Sequence, residues 1–179
     1  MSEGNDLQLV EECLKGNQKA FEAVVEKYQR PLYNAAYRIL GSAADAEEVT
    51  QSAFVKAFEG LGTFRKGSKF FSWLYRIAVN ESLNYSQARR RHESIDEETL
   101  ARPETPETIY GQRELEASIQ EALNNLKEEY RVVIVLRHFQ ELSYDEMSDI
   151  LGIPAKTVKS RLFSARQHLR DLLPDHRQS

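Results

Sequence analysis

Apolar residues recur at three- and four-residue steps along most of this chain. That is the period of an amphipathic helix, not the two-residue alternation of a half-buried strand. Asn5 or Asp6 is placed to cap a short first helix that buries Leu7, Val10 and Leu14. Phe21, Val24, Val25 and Tyr28 carry the next pattern. Pro31 is expected to interrupt it, and a further helix with Ala35, Ala36, Ile39 and Leu40 then ends at Gly41. Ser42 or Ala43 opens another, running through Val49, Ala53, Phe54, Ala57 and Phe58 to a break at Gly60–Gly62. A loop follows, then a helix with Leu74, Ile77 and Ala78 inside. The run VVIVL at 132–136 has strand propensity but sits within a longer helical period, so it is read as helix. The pattern predicts an all-α fold.

The last two helices are the most sharply punctuated. Ser143 is a cap, and Glu146 three residues on completes a capping box, with Leu142 and Met147 at the staple positions. Met147, Ile150 and Leu151 line one face, Gly152 supplies a left-handed stop, and Pro154 suits the start of the next helix. A short helix, a tight glycine turn and a second helix make a helix-turn-helix. At about 100° per residue, Val158, Leu162, Ala165, Leu169 and Leu172 form the inward stripe. Lys156, Ser160, Phe163 and Gln167 fall opposite, with Lys159 and Ser164 at the edges. An outward Phe among cations suits a DNA major groove, where it can touch a thymine methyl while flanking Lys and Arg meet phosphates. Packing of Phe163 on an unseen partner helix is the alternative.

Charge divides the chain. Residues 93–110 hold six acids, one Arg and two prolines with few bulky apolar residues, the composition of a linker. The organisation expected is therefore a helical domain at 1–92, a flexible acidic linker at 93–112 and a helix-turn-helix domain at 113–176. The formal net charge of the 179-residue chain is −4, yet residues 63–92 carry seven Lys/Arg against Glu81 alone, and residues 154–172 carry five against Asp171 alone. Two local basic surfaces point to a polyanion met at two places; two solvated faces are the plainer reading. With 41% hydrophobic and 29% charged residues the chain can bury a core or two small ones. It has no run of apolar residues that would insert in a membrane, and its N-terminus lacks the grammar of a secretory signal. The single cysteine, Cys13, is expected in a core and fits a cytoplasmic setting. His92, His138, His168 and His176 have no metal-ligand spacing, so neither a metal site nor a cofactor is expected.

Phe64, Phe70, Phe71, Trp73 and Tyr75 are interleaved with Arg65, Lys66, Lys69 and Arg76, and Arg89, Arg90 and Arg91 extend the charge along the helix. Some of these aromatics must be core. A loop of aromatics and cations can also hold unstacked bases, at about 1–3 kcal/mol per stacking contact.

Taken together, these residues resemble a bacterial sigma factor of the extracytoplasmic-function type, and sigma-E-like members in particular. GNQKAFEAVVEKYQRPLYNAAYRILG is similar to the family's opening helices, and DAEEVTQSAF to its polymerase-binding helix. TFRKGSKFFSWLYRIAVN resembles its promoter-melting segment, and LSYDEMSDILGIPAKTVKSRLFSAR its −35 reader. The resemblance implies a sigma-2-like and a sigma-4-like domain and a factor without enzyme activity. It implies a factor that would act in the cytoplasm, direct polymerase to promoters in response to stress, and bind core RNA polymerase at the largest-subunit coiled coil and the flap region. Asp45, Glu48, Gln51 and Phe54 would meet the coiled coil. The residue after Gln51 is Ser52, where the family often has Glu. The loop from Phe64 to Lys69, with Asn80, would capture a flipped base of a melted −10 element. Trp73, Arg76 and Asn84 would hold neighbouring bases and backbone, with Arg89, Arg90 and Arg91 adding charge. Lys156, Thr157, Lys159, Ser160, Arg161, Phe163, Ser164, Arg166 and Gln167 would read or grip a −35 duplex. Sigma-E-like members often have Arg at the position of Ser164. An anti-sigma factor is a further implied partner. Two rival readings are a stand-alone helix-turn-helix regulator and a metal-dependent nuclease built on Asp45, Glu47 and Glu48.

Overall fold

The computed structural model describes residues 3–65, 67–93 and 112–173. Lys66, most of the stretch expected to act as a linker, and the ends of the chain lie outside the described residues. Eight α-helices account for nearly all of what is described: α1 Glu3–Leu14, α2 Gln18–Leu40, α3 Ala43–Gly60, α4 Phe70–Glu93, α5 Gln112–Asn125, α6 Glu128–Ile134, α7 Tyr144–Leu151 and α8 Ala155–Leu172. A 3-10 turn at Leu61–Thr63 follows α3, and a π-helical turn at Val135–Phe139 continues α6. Helices α1–α4 form an N-terminal domain and α5–α8 a C-terminal one.

Two expectations about boundaries are corrected. Neither Asn5 nor Asp6 caps α1, which already begins at Glu3. The Asp6 carboxylate is instead buried, accepting from the Tyr28 hydroxyl at 2.6 Å and from Lys27, so it pins α1 to α2. Pro31 does not interrupt α2, which is one helix of 23 residues. Proline removes one backbone bond, but Tyr28 and Leu32 on either side are fully buried. The packing of that apolar stripe outweighs a local loss. Gly41 ends α2 with φ of 73°, as expected of a left-handed stop.

Other punctuation stands where the pattern put it. Ser42 caps α3, accepting from the Asp45 N–H at 3.3 Å. Ser143 and Glu146 make the full capping box on α7, and Leu142 and Met147 are buried beside it. Gly152 closes α7 at φ 65°, and α8 starts directly after Pro154. Along α8, Val158, Leu162 and Ala165 are buried and Leu169 half-buried, while Leu172 is exposed because the helix runs past its core.

One cluster of buried side chains runs from Val24, Tyr28 and Leu32 through Phe71, Leu74 and Tyr75 to Leu136, Met147 and Ile150. The two domains thus share a continuous apolar interior. At its edge the buried Arg131 of α6 donates to the carbonyls of Ile39 at 2.6 Å, Asn124 at 2.8 Å and Leu126 at 3.1 Å. Ile39 belongs to the last turn of α2 and Asn124 to the last turn of α5, where helical carbonyls lack intrahelical partners and the dipole favours a cation.

Candidate nucleic-acid interface

Helix α4 carries the first cationic face. Lys69, Trp73, Arg76, Asn80 and Asn84 follow one another at four-, three-, four- and four-residue steps, a single stripe about 80° wide at helical pitch. Asn80 and Asn84 are exposed and Trp73 half-buried. The aromatic cluster beneath is a small core. Phe64, Phe70, Phe71 and Tyr75 are buried, and the rings of Phe64, Phe70 and Trp73 meet with centroids 5.5–5.7 Å apart. Phe64 therefore stands behind the surface as a support, and Trp73 is the aromatic of this group that reaches solvent. Beyond Asn84, Arg91 lies on the same stripe while Arg89 and Arg90 turn off it, and all three are exposed. Arg89 pairs with Asp45 at 2.8 Å and Arg90 lies 3.6 Å from Glu128 of the C-terminal domain.

Helix α8 carries the second face. Phe163 is 66% exposed although its neighbour Leu162 is 1% exposed, the expected outcome of helical period on a domain surface. Lys156, Lys159, Ser160 and Arg166 are exposed around it, while Thr157, Arg161, Ser164 and Gln167 are half-buried. Lys159 sits over the Tyr144 ring, 5.3 Å from its centroid. Arg161 lies 3.6 Å from Glu129, and Gln167 accepts from Arg170. Arg166 Nε donates to His138 Nε2 at 3.2 Å, and burial, then the charges of Arg166 and Arg137, hold that imidazole below its ordinary value.

Helix α3 presents a different surface. Glu48 and Gln51 are exposed, but Phe54 is buried against the core with its ring edge toward Phe21. Asp45 is half-buried, held by Arg89 and by the Tyr85 hydroxyl at 3.0 Å. That hydroxyl is pushed up to about 12, by burial first and then by Asp45 and Glu48. Ser52 donates to Glu81 at 2.8 Å, so it ties α3 to α4. Two residues absent from the sequence-derived set stand out. Val55 and Phe58 are 57% and 55% exposed and continue the Glu48–Gln51 face at the same period. Phe58 had been placed among the apolar positions of α3 with no surface role. Four residues apart, Phe54 and Phe58 lie only about 40° apart on the wheel, so the spacing does not tell which of them is exposed and the packing does. Its exposure leaves one edge on Phe21, 5.0 Å between centroids.

A model of sigma-70 region 2 matches residues 24–92, and one of sigma-70 region 4 matches residues 116–169. The RNA polymerase sigma-H factor of Pseudomonas aeruginosa is 35% identical, with 93% of each chain covered. The chain belongs to the extracytoplasmic-function sigma factors of the sigma-70 family. The ECF RNA polymerase sigma factor SigW of Bacillus subtilis is 34% identical over 93% of this chain and 95% of its own. The ECF sigma-E factor of Escherichia coli is 37% identical over 90% and 91%. Among solved structures, CnrH in complex with the cytosolic domain of CnrY superposes with a TM-score of 0.74 at 28% identity, covering 94% of this chain and 96% of that one. RpoE in complex with the anti-sigma factor NepR, from Bartonella quintana, gives 0.73 at 29% identity, covering 89% and 99%. This sigma factor is thus a transcription initiation factor, with region 2 over residues 24–92 and region 4 over residues 116–169. None of its described helices is long and apolar enough to cross a membrane.

Proposed function

We propose that this sigma factor divides promoter recognition between its two cationic faces while α3 holds core RNA polymerase. The observation that carries this is the pairing of two separate basic faces, the α4 stripe around Trp73 and the α8 face around Phe163, each within a family-matched segment. Unpaired −10 bases bind along Lys69, Trp73, Arg76, Asn80 and Asn84, with Arg89, Arg90 and Arg91 along the phosphates. Bases held this way bind better unpaired than paired, so melting is favoured by binding alone, without nucleotide hydrolysis. A −35 duplex lies on α8, with Phe163 and Ser160 at base edges and Lys156, Lys159, Arg161 and Arg166 at phosphates.

Glu48, Gln51, Val55 and Phe58 form a mixed acidic and apolar face for the largest-subunit coiled coil, with Asp45 and the buried Phe54 setting its shape. An anti-sigma factor competes for this chain in the cytoplasm until a stress signal removes it. Support comes from CnrH and RpoE, whose folds match over nearly the whole chain and which were captured with CnrY and NepR. The deciding experiment is transcription in vitro with core polymerase on genomic fragments, followed by mapping of RNA 5′ ends. Discrete start sites that depend on this chain are expected, and Gln51→Ala is expected to weaken core-enzyme pull-down while leaving helicity intact. Duplex binding without polymerase-dependent initiation would instead support the stand-alone regulator.

A further inference from the structure

One acid stands alone in the basic stretch from residue 63 to residue 92: Glu81, directly after Asn80 on α4. A carboxylate beside a face for bases and phosphates opposes binding unless other groups engage it. Glu81 is engaged. Its side chain is only 14% exposed, and each carboxylate oxygen has its own partner on α3. Ser52 donates to Oε2 at 2.8 Å and Lys56 donates to Oε1. Ser52 and Lys56 are four residues apart, so the carboxylate clamps one turn of α3. The polar seam continues along both helices. Tyr85 and Arg89, one and two turns beyond Glu81, donate to Asp45, and the Tyr85 hydroxyl also reaches Glu48 at 3.4 Å.

On each helix the clamp borders a functional face. Ser52 and Lys56 directly follow Gln51 and Val55, one step of about 100° round α3. Glu81 is one such step from Asn80 and about 60° from Asn84 round α4. Inward of the clamp, Ala53 on α3 and Ala78 and Ser82 on α4 are buried and small. Small side chains interlock little, so they leave the rotation and slide of α4 against α3 to the polar groups. At the other end of the stripe, Arg76 donates to the Asp149 carbonyl of α7 and Lys69 lies 3.7 Å from Glu146. The Asn80–Asn84 end is held from α3.

We propose that Glu81 is a positioning residue for base capture. Its carboxylate, fixed to Ser52 and Lys56, sets the rotation of Asn80 and Asn84 against α3, the helix that holds core polymerase. Unpaired bases are thereby received at a fixed place relative to the enzyme. The positioning rests on the reading of α3 and α4 given above, and adds to it a residue that touches neither polymerase nor DNA. Hydrogen bonds to base edges weaken steeply with misalignment, so a small rotation of α4 costs affinity with no contact residue changed. Plain electrostatics has the opposite sign: an acid that merely sits near a polyanion repels it, and its removal tightens binding.

The test uses holoenzyme assembled from core polymerase and the full chain in four forms: wild type, Ser52→Ala, Glu81→Gln, and the charge-exchanged pair Lys56→Glu with Glu81→Lys. Circular dichroism checks folding, and Ser52→Ala, which removes one hydroxyl and no charge, carries the test if Glu81→Gln fails to fold. Pull-down reads core binding. Fluorescence anisotropy at several salt concentrations reads binding of a labelled single strand, the non-template strand just upstream of a start site mapped as above. Both single variants are expected to hold core polymerase as the wild type does and to bind the strand about fivefold more weakly, with the salt slope unchanged because no phosphate contact is lost. The exchanged pair is expected to recover most of that loss. Equal or tighter strand binding by the single variants would overturn the positioning, as would a loss that the exchanged pair leaves in place. Loss of core binding by Glu81→Gln would overturn it too, by placing Glu81 in the polymerase face. Wild-type holoenzyme that binds the strand no better than core polymerase alone would overturn the reading of α4 itself.

Discussion

Single residues in this chain often serve two elements at once. Glu146 accepts from the Ser143 N–H at 2.9 Å to cap α7 and also faces Lys69 of the other domain. Burial alone would raise its carboxyl. The Ser143 backbone and hydroxyl and the Lys69 charge outweigh that and hold it below the ordinary value. The cap is therefore complete at neutral pH and is lost as pH falls through the depressed value. His138 behaves in the opposite chemical sense with the same direction in pH. Its imidazole is held below the usual histidine value by burial and by Arg166 and Arg137, so the folded state favours the neutral ring. Stability from this group is whole above the ordinary histidine value and falls as pH drops through it toward the folded one. Arg166→Ala is expected to move the His138 midpoint upward, followed by the imidazole proton shifts in an NMR titration. An unchanged midpoint would assign the shift to burial and Arg137.

Within one element, α8 separates stability from recognition by one step of helical rotation. Leu162 is 1% exposed and Phe163 66% exposed. Truncating the first leaves a cavity in a small core, so Leu162→Ala is expected to cost roughly 2–5 kcal/mol in urea unfolding. Phe163→Ala should change stability by no more than about 0.5 kcal/mol while weakening a −35 duplex in a sequence-dependent way. Lys159→Ala should instead weaken all duplexes alike and reduce the salt slope by about 1. Gel-shift titrations at several salt concentrations distinguish these patterns. Equal loss on scrambled and promoter DNA for Phe163→Ala would remove Phe163 from base readout. Helix α3 differs: Phe54 is buried and Phe58 exposed although four positions put them only about 40° apart, so there the edge of the packed core decides, with Val55 exposed beyond it.

For the whole molecule, the continuous apolar interior couples the domains. The single tryptophan, Trp73, lies in the N-terminal domain and reports its packing. Circular dichroism reports all helices. In the wild type the two signals are expected to fall together on urea unfolding, as one cooperative unit. Arg131→Gln, which removes the guanidinium that bridges Ile39 O and Asn124 O, is expected to weaken that coupling and draw the two signals apart. Separate transitions already present in the wild type would show that the shared interior adds little cohesion.

Local rules were sufficient for a large part of this. Helical period, Ser42 and Ser143 as caps, Gly41 and Gly152 as stops, and the outward turn of Phe163 were all legible from residue spacing. Each depends on neighbours within one or two turns. Pro31 and Asp6 were not legible, since burial between α1, α2 and α4 overrides the local preference of each. Nor was Arg131 marked by any motif. It sits in an ordinary helical run, and its value comes from Ile39, 92 residues earlier in the chain, whose carbonyl it meets at 2.6 Å. The sequence by itself determined an all-α chain with two basic faces and the family to which it belongs. Only the tertiary structure decided that α7 lies on the Lys69–Arg76 edge. That contact joins groups far apart in sequence, through packing and hydrogen bonds that leave no periodic trace along the chain.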